Sequence, residues 1–249
     1  MAKTILVTGA SAGLGAEMAR QFADLGYDLA LCARRTDKLE QLRAEILAQH
    51  RGHRIEVRAL DVTEDDRVFD VFWAFARDFG ALDRVIVNAG VGKGAVIGTG
   101  RYDANRKTAM TNFVAALAQA EAAMEIFREQ NSGHLVMISS MSAMRGLPKM
   151  LTTYAATKAG VAHLAEGLRA ELHGTPIKVT VLYPGYIASE MNDRNPGSTP
   201  MMTSTEKGVR AMVSAIEKEK SSACVPAWPW APLSVAMRHA PLPLFKKLL

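Results

Sequence analysis

Short apolar runs alternate with longer amphipathic runs along most of the chain, and this alternation limits the fold more than any other feature. The apolar runs have the length of buried strands, and the amphipathic runs have the period of helices. The predicted strands are residues 3–8, 28–33, 55–60, 84–88, 134–139, 177–183 and 222–227. The predicted helices are residues 16–25, 36–50, 63–80, 102–130, 152–173 and 204–220. This alternation predicts an α/β fold, a doubly wound parallel sheet of about seven strands with helices on both faces.

The chain of 249 residues suits one such domain, which we expect to span residues 1–225. Residues 226–249 form a tail of different composition, with five of the ten prolines and two of the three tryptophans. These prolines exclude one continuous helix, so we expect two short helices around residues 233–240 and 244–249. Apolar side chains beside basic ones suit a membrane interface, a lid over a hydrophobic substrate, or packing on the protein itself or on another subunit.

The net charge of +5 is concentrated at the end of the chain. No acidic residue follows Glu219, and residues 226–249 carry +3 of the total. The rest of the chain is almost neutral, which argues against a nucleic-acid partner. The six histidines show no paired ligand spacing, so no metal is expected.

Cysteine content and the start of the chain predict a cytoplasmic location. Only Cys32 and Cys224 are present, too few for a disulfide framework, so a reducing compartment is expected. The first residues, MAKTILVTGA, have one lysine and reach a glycine too early for a signal peptide. No apolar run has the length of a spanning helix. Peripheral contact of the tail with a membrane stays open as an alternative.

A glycine-rich loop, TGASAGLG at residues 8–15, joins the first strand to the first helix. Gly9, Gly13 and Gly15 let the backbone turn sharply and let a pyrophosphate approach without a β-carbon in the way. The N-terminus of the following helix offers free N–H groups and a partial positive charge. A tight turn without a ligand is the alternative, but the strand before and the helix after favour a Rossmann-like dinucleotide site.

The end of the second strand indicates which dinucleotide binds. Sites for NAD usually carry an acidic residue there, which bonds the ribose hydroxyl. This chain instead has Arg34 and Arg35, and a guanidinium pairs with a phosphate through two hydrogen bonds. Two solvated arginines at the start of a helix are the alternative. The arginines and the missing acid together predict NADP.

Ordered motifs spread over residues 3–225 resemble those of the short-chain dehydrogenase/reductase family. After the glycine loop come LDVT at 60–63, NAG at 88–90, ISS at 138–140, YAATK at 154–158 and YPG at 183–185. The resemblance implies an oxidoreductase of carbonyl and alcohol groups with a nicotinamide cofactor. It also implies a homodimer or homotetramer, formed through the helices that begin at Tyr102 and Thr152. The chain departs from the pattern at Ala12, where many NADP-using members have a basic residue.

Tyr154 and Lys158 lie four residues apart on one predicted helix, so they share a face. The pKa of a phenol is about 10, and a nearby ammonium lowers it by favouring the phenolate. Tyr154 can then give a proton to a carbonyl oxygen or take one from an alcohol. An ordinary helix face is the alternative, and the resemblance favours catalysis. It also implies that Lys158 binds the nicotinamide ribose.

Ser140 and Asn112 complete the predicted catalytic set. Ser140 ends the fifth strand, where its hydroxyl can bond the substrate oxygen as charge develops. The resemblance expects this serine about thirteen residues before the tyrosine; Ser140 is fourteen before, and Ser139 and Ser142 are the neighbouring alternatives. By the same resemblance, Asn112 holds a helix kink and a water linked to Lys158. An exposed position on the helix surface is the alternative.

The resemblance extends to the residues around the cofactor. It implies contacts of residues 61–62 with the adenine, of residues 88–90 with the riboses, and of residues 184–189 with the nicotinamide. With the glycine loop and the two arginines, the predicted cofactor-binding residues are Gly9, Ser11, Ala12, Gly13, Leu14, Gly15, Arg34, Arg35, Asp61, Val62, Asn88, Ala89, Gly90, Tyr154, Lys158, Pro184, Gly185, Ile187 and Ser189.

Residues 141–151 and 189–203 are expected to bind the substrate, and six of the thirteen methionines lie there. Methionine suits an adaptable apolar surface, so a bulky hydrophobic ketone or alcohol is predicted, with loop packing alone as the alternative. The predicted substrate-binding residues are Ser140, Met141, Met144, Met150, Tyr154 and Met191. The sequence thus predicts an NADP(H)-dependent oxidoreductase of ketones and secondary alcohols. Two alternatives remain: a membrane-surface reductase of a lipid-linked keto-sugar or ketoacyl group, and a catalytically silent NADP-binding regulator.

Overall fold

A computed structural model describes residues 2–189 and 201–247, without the side chains of residues 246 and 247. The strands are β1 (Thr4–Thr8), β2 (Asp28–Ala33), β3 (Ile55–Ala59), β4 (Arg84–Val87), β5 (Gly133–Ile138), β6 (Ile177–Pro184) and β7 (Ser222–Val225). The first helices are α1 (Gly13–Asp24), α2 (Thr36–Gln49), α3 (Asp65–Phe79), α4 (Tyr102–Ala109) and α5 (Ala115–Gln130). The later helices are α6 (Thr152–Glu171), α7 (Thr205–Glu217), α8 (Ala227–His239) and α9 (Leu242–Lys247). Met191, a predicted substrate residue, lies outside the described residues.

The seven strands form one parallel sheet in the order β3-β2-β1-β4-β5-β6-β7. Every residue of β1 is buried, because helices cover the sheet on both sides. Apolar side chains of α1, α2 and α7 pack on one face, and those of α3, α5 and α6 pack on the other. The predicted doubly wound α/β fold is therefore confirmed.

The long helix predicted for residues 102–130 is interrupted. A π-helical turn, Met110–Val114, separates α4 from α5 and contains Asn112. A π turn inserts one residue into the helical repeat and is frequent at functional sites. Apolar periodicity continues on both sides of such a turn, so the sequence pattern could not reveal it.

The tail contains two helices, as its prolines require. The first is longer than expected, because α8 begins at Ala227 and encloses Pro229 and Pro232. Trp228 has non-helical dihedral angles, so regular helix begins only at Pro229, where the missing N–H of proline costs nothing. Both helices turn an aromatic side chain inward, since Trp230 and Phe245 are almost completely buried.

A chain of buried polar groups joins strands at the amino-terminal edge of the sheet. Arg84 Nε donates to His134 Nδ1 at 3.0 Å, and His134 Nε2 lies 2.8 Å from Thr180 Oγ1. Arg84 also pairs with Glu217 at 2.6 Å. Burial lowers the pKa of His134 to about 3, so the imidazole is neutral and accepts from Arg84. These groups have protein partners, and the predicted site lies at the opposite edge.

Candidate active site

The sheet has a switch point between β1 and β4, where the chain order reverses direction. Ligands of such sheets bind at the carboxyl ends of the strands on either side of this point. Asn88 joins the two ends, because its Nδ2 donates to the carbonyl oxygen of Thr8 at 2.8 Å. Thr8 Oγ1 in turn accepts from the backbone N–H groups of Asn88 and Ala89, each at 3.1 Å. The NAG motif therefore fixes the glycine loop next to β4.

The glycines of the loop serve two different purposes. A Cβ on Gly15 would lie 2.4 Å from the carbonyl oxygen of Gly9, and a Cβ on Gly9 would lie 2.9 Å from Ala89 Cα. These two glycines are therefore required by packing within the protein. Gly13 has a φ of +55° and faces open space apart from Ser189, whose Cβ would be 3.5 Å from a Cβ on Gly13. Of these three glycines, only Gly13 leaves space beside the loop that a ligand could occupy.

The N-terminus of α1 is available to an anion. Ala12 precedes the helix in an extended conformation, and no side chain caps the helix. The first N–H groups of a helix have no partner within it, and the helix dipole makes this end positive. Ser11, Ala12 and Leu14, predicted from the motif, lie in or beside this turn. Ser189 lies across from it, and its contact with a cofactor stays a prediction.

Arg34 and Arg35 follow β2 and point toward different partners. Arg35 Nε donates to Ser11 Oγ at 3.3 Å, so this guanidinium lies over the glycine loop. Arg34 is mostly exposed, and its Nη1 is 3.8 Å from Asp61 Oδ2. Burial raises the pKa of Asp61, but hydrogen bonds from Thr63 and the charge of Arg34 outweigh this and lower it. Asp61 is thus a carboxylate beside Arg34.

Other predicted cofactor residues differ in what they can contact. Val62 is buried in the core, and the buried Ile187 packs against α7, where a Cβ on Gly208 would lie 2.7 Å from it. A nicotinamide contact of Ile187 would therefore have to come from its backbone. Pro184 ends β6, and a Cβ on Gly90 would be 3.7 Å from Lys158 Nζ.

The three neighbouring serines have distinct partners, which favours Ser140 as the catalytic one. Ser139 is buried and its Oγ donates to the Lys158 carbonyl oxygen at 2.7 Å. Ser140 Oγ accepts from the Ser142 backbone N–H at 3.1 Å and hydrogen-bonds the Tyr154 side chain. Ser139 is thus a helix anchor, and Ser140 brings its hydroxyl to the phenol of Tyr154.

The electrostatics around Tyr154 differ from the expectation. Burial raises the pKa of Tyr154 above its ordinary value, the hydrogen bond with Ser140 opposes this, and Tyr186 adds to it. The spacing of Tyr154 and Lys158 predicted a lowered pKa for this phenol, and the raised pKa contradicts that prediction. The Lys158 Nζ donates to the Ile138 carbonyl oxygen at 2.9 Å, and burial lowers its pKa to about 8. Tyr154 is therefore a protonated phenol at neutral pH.

Asn112 is 1% exposed, so the alternative of a helix-surface residue is wrong. Its Oδ1 accepts from the Val91 N–H at 2.8 Å, and its Nδ2 donates to the Val91 carbonyl oxygen at 2.9 Å. The π turn thereby holds the segment that follows the NAG motif. Its Oδ1 would lie 3.2 Å from a Cβ on Gly90, so Asn112 and Lys158 face the same glycine. The linking water stays a prediction.

Met141 and Met144 do not contribute to the adaptable apolar surface that was expected at the substrate site. Met141 and Met144 are buried beneath Trp230 of α8, while Met150 is nearly half exposed. The tail holds this segment firmly, because Arg145 donates to the Met237 and Ala240 carbonyl oxygens. The prediction that Met141 and Met144 present an apolar surface to the substrate is therefore wrong, because the tail covers both. Sequence reasoning missed Tyr186 as a residue near Tyr154, although it directly follows the YPG motif, and missed Trp230, which packs on Gly185 and Tyr186.

Comparison with known proteins identifies the family. The sequence model described as short chain dehydrogenase matches residues 3–198, which include the glycine loop, Ser140, Tyr154 and Lys158. The chain belongs to the short-chain dehydrogenase/reductase family. An uncharacterized oxidoreductase of Mycobacterium tuberculosis is 54% identical over 229 residues, covering 92% of this chain and 90% of the relative. This member of the short-chain dehydrogenase/reductase family is thus an oxidoreductase.

Solved structures of the family share the fold. A short-chain dehydrogenase from Sphingobium yanoikuyae in complex with NADPH has a TM-score of 0.83 and 27% identity, covering 94% of this chain and 93% of that one. A short-chain dehydrogenase/reductase from Burkholderia phymatum in complex with NAD has a TM-score of 0.85 and 21% identity, covering 98% and 95%. The two neighbours carry different cofactors, so likeness alone does not select one.

A nicotinamide dinucleotide, which the family implies, fits the residues present. Gly13 leaves a clear surface, the uncapped end of α1 suits a pyrophosphate, and Arg34 and Arg35 directly follow β2. Among the described residues, no group of three or more His, Cys, Asp or Glu side chains is placed to hold a metal ion. Within residues 2–189 and 201–247, no helix is long and apolar enough to span a membrane.

Proposed function

We propose that the protein is an NADP(H)-dependent oxidoreductase that interconverts ketones and secondary alcohols with bulky apolar groups. The observation that carries the proposal is the meeting of the Ser140 and Tyr154 hydroxyls next to the buried Lys158, at the carboxyl edge of the sheet. When bound, the nicotinamide supplies or accepts a hydride. A homodimer or homotetramer formed through α4, α5 and α6 stays a prediction.

The protein's own groups account for the proton chemistry. The Ser142 N–H occupies a lone pair of Ser140 Oγ, which leaves the Ser140 O–H to orient a substrate oxygen. Tyr154 holds its proton at neutral pH because burial raises its pKa, so it can protonate a carbonyl oxygen as charge develops there.

The preference for NADP rests on the surroundings of the adenosine site. Arg34 and Arg35 together present two guanidinium groups, and no acidic residue ends β2. Asp61 lies nearby, but Arg34 already neutralises it at 3.8 Å. A 2′-phosphate would meet a net positive surface here, whereas the hydroxyls of NAD would lack the usual acidic acceptor.

A screen of carbonyl compounds graded by size and apolarity tests the proposed activity. Oxidation of NADPH should be fastest with bulky apolar ketones, because Tyr186, which lies near Tyr154, and Met150 are both nearly half exposed. The rate is followed by loss of NADPH absorbance, with NADH as the control cofactor. Equal rates with small polar and large apolar ketones would refute the substrate class, and no oxidation with any carbonyl compound would favour the regulator.

A second candidate is a reductase that works at a membrane surface. The tail exposes four apolar side chains, Trp228, Val235, Leu242 and Leu244, each more than half accessible. Arg238 and His239 lie in the last turn of α8, and no acidic residue is present in the tail. Apolar side chains beside cations are typical of surfaces that bind anionic lipids.

Vesicle sedimentation separates this candidate from a protein without membrane contact. We expect the full chain to sediment with vesicles of phosphatidylcholine and phosphatidylglycerol. Replacing Trp228 and Leu242 by serine should weaken binding about tenfold, because less apolar surface is buried. Leu25→Ser is the control, because Leu25 is similarly exposed but directly follows the C-terminal end of α1, outside the tail. It should leave vesicle binding unchanged. No sedimentation of the full chain would rule this candidate out.

A further inference from the structure

Asn105 of α4 joins two segments that border the site. Its Oδ1 accepts from the Ala95 backbone N–H at 3.0 Å and from the Thr153 hydroxyl, also at 3.0 Å. Ala95 belongs to the loop that follows the NAG motif, residues 91–101, which we call the post-NAG loop. Thr153 directly precedes Tyr154 in α6. One amide oxygen therefore connects the post-NAG loop to the helix that carries the proposed acid.

Other contacts hold the post-NAG loop in the same place. The Gly94 N–H donates to the Met150 carbonyl oxygen at 3.0 Å, just before α6 begins. A Cβ on Gly94 would lie 2.3 Å from Asn105 Oδ1, so a residue without a side chain lets the loop come this close. The first residue of the loop, Val91, is held by the two hydrogen bonds of Asn112. Two asparagines of one helical segment thus hold the loop at two points.

The first turn of α6 is a part of the helix that needs support. Tyr154 is the third residue of α6, and no side chain caps the N-terminus of this helix. Helix ends fray more easily than helix interiors, because some of their backbone groups have no partner within the helix. The hydrogen bond from Thr153 to Asn105 holds this turn from the side. It therefore fixes the backbone from which the Tyr154 side chain reaches Ser140.

We infer that Asn105 is a positioning residue of the reductase, which fixes Tyr154 relative to the post-NAG loop through the hydroxyl of Thr153. The amide oxygen acts as an acceptor of two hydrogen bonds, because both groups that it contacts are donors. A misplacement of about 1 Å can lower a rate about a hundredfold, so loss of this contact is felt in turnover. This inference rests on the proposed reductase function.

Two substitutions of Asn105 separate its acceptor from its volume. Asn105→Asp keeps an oxygen that can accept both hydrogen bonds, whereas Asn105→Leu has a similar shape and no acceptor. With NADPH and an apolar ketone, we expect Asn105→Leu to lower kcat about tenfold and Asn105→Asp to keep about half of it or more. The dissociation constant of NADPH should stay within about twofold in both variants, because the glycine loop and Arg34 are intact.

Thr153→Val tests the other end of the hydrogen bond. It removes the donor, keeps the volume of the side chain, and should also lower kcat. The double variant with Asn105→Leu should be no slower than Asn105→Leu alone, because both changes remove the same bond. Thr152→Val is the matched control, since the Thr152 hydroxyl donates to the Lys149 carbonyl oxygen instead, and kcat should stay unchanged.

Hydrogen exchange of the backbone measures the same contact without turnover. In the full chain with NADP⁺, peptides that cover residues 91–101 and 150–158 should exchange faster in Asn105→Leu than in the unmodified protein. Asn105→Asp should restore slow exchange. If Asn105→Leu does not fold, Thr153→Val gives the same comparison for residues 150–158.

Several results would overturn the inference. These are an unchanged kcat in Asn105→Leu or Thr153→Val, an equal loss of kcat in both variants of Asn105, and a double variant slower than Asn105→Leu. A loss of NADPH binding in parallel with kcat would indicate a general packing defect and would also contradict it. Failure of the proposed function looks different: the unmodified protein then reduces no ketone, while the exchange rates still report whether Asn105 holds the two segments.

Discussion

Replacing Tyr154 by phenylalanine is expected to lower kcat for ketone reduction about a thousandfold. The phenol is the acid beside Ser140, and burial keeps it protonated at neutral pH. Phenylalanine keeps the ring and its packing on α6 but cannot donate a proton. Binding of NADPH, followed by quenching of protein fluorescence, should remain within about twofold of the unmodified protein, because Lys158 and the glycine loop are intact.

Two control variants make this result specific: Tyr102→Phe is matched to Tyr154→Phe, and Ser142→Ala is matched to Ser140→Ala. Tyr102→Phe removes a hydroxyl from an exposed tyrosine of α4 and should leave kcat unchanged. Ser140→Ala should lower kcat about a hundredfold, whereas Ser142→Ala should have a small effect, since only Ser140 hydrogen-bonds Tyr154. A Tyr154→Phe variant that retains about a tenth or more of the activity contradicts the assigned acid.

Replacing Arg34 by alanine is expected to weaken NADPH binding roughly thirtyfold and to leave NADH binding nearly unchanged. A hydrogen bond to a charged group contributes about 1.5–3 kcal/mol, and only NADPH has the 2′-phosphate that Arg34 can bond. The ion pair with Asp61 does not oppose this, because Arg34 is mostly exposed and such pairs contribute at most about 1 kcal/mol. Binding constants are measured by fluorescence titration with each cofactor.

Arg43→Ala is the matched control for the arginine variant. Arg43 lies on α2 and pairs with Glu40 at 3.4 Å. Its removal changes the net charge by the same amount, so it should affect both cofactors little. If Arg34→Ala weakens NADH and NADPH equally, or if the unmodified protein prefers NADH, the NADP assignment is wrong.

The sheet and most helices could be predicted because their signals are local. Strand β2 has the predicted bounds, since a buried strand between turn residues needs no knowledge of its neighbours. The glycine loop and the pair of Tyr154 and Lys158 could likewise be predicted from the spacing of their residues along the chain. Their geometry follows once the strand and helix around them are known.

What the sequence could not reveal depends on contacts between distant residues. The π turn accompanies the two hydrogen bonds of Asn112 to Val91, twenty-one residues away. The choice among three serines needed the bond from Ser139 to the Lys158 carbonyl oxygen. Trp230 packs on Gly185 only because that residue has no side chain, so composition alone could not identify which tryptophan of the tail is buried.

Transfer of deuterium from the cofactor to the product tests the central claim most directly. The unmodified protein is incubated with an apolar ketone and with NADPH that carries deuterium at its transferable position. The proposed function predicts a secondary alcohol with one deuterium on the carbinol carbon, formed in equal amount to the NADPH consumed. Oxidation of NADPH without this alcohol, or an alcohol without deuterium, would contradict hydride transfer between the cofactor and a carbonyl carbon.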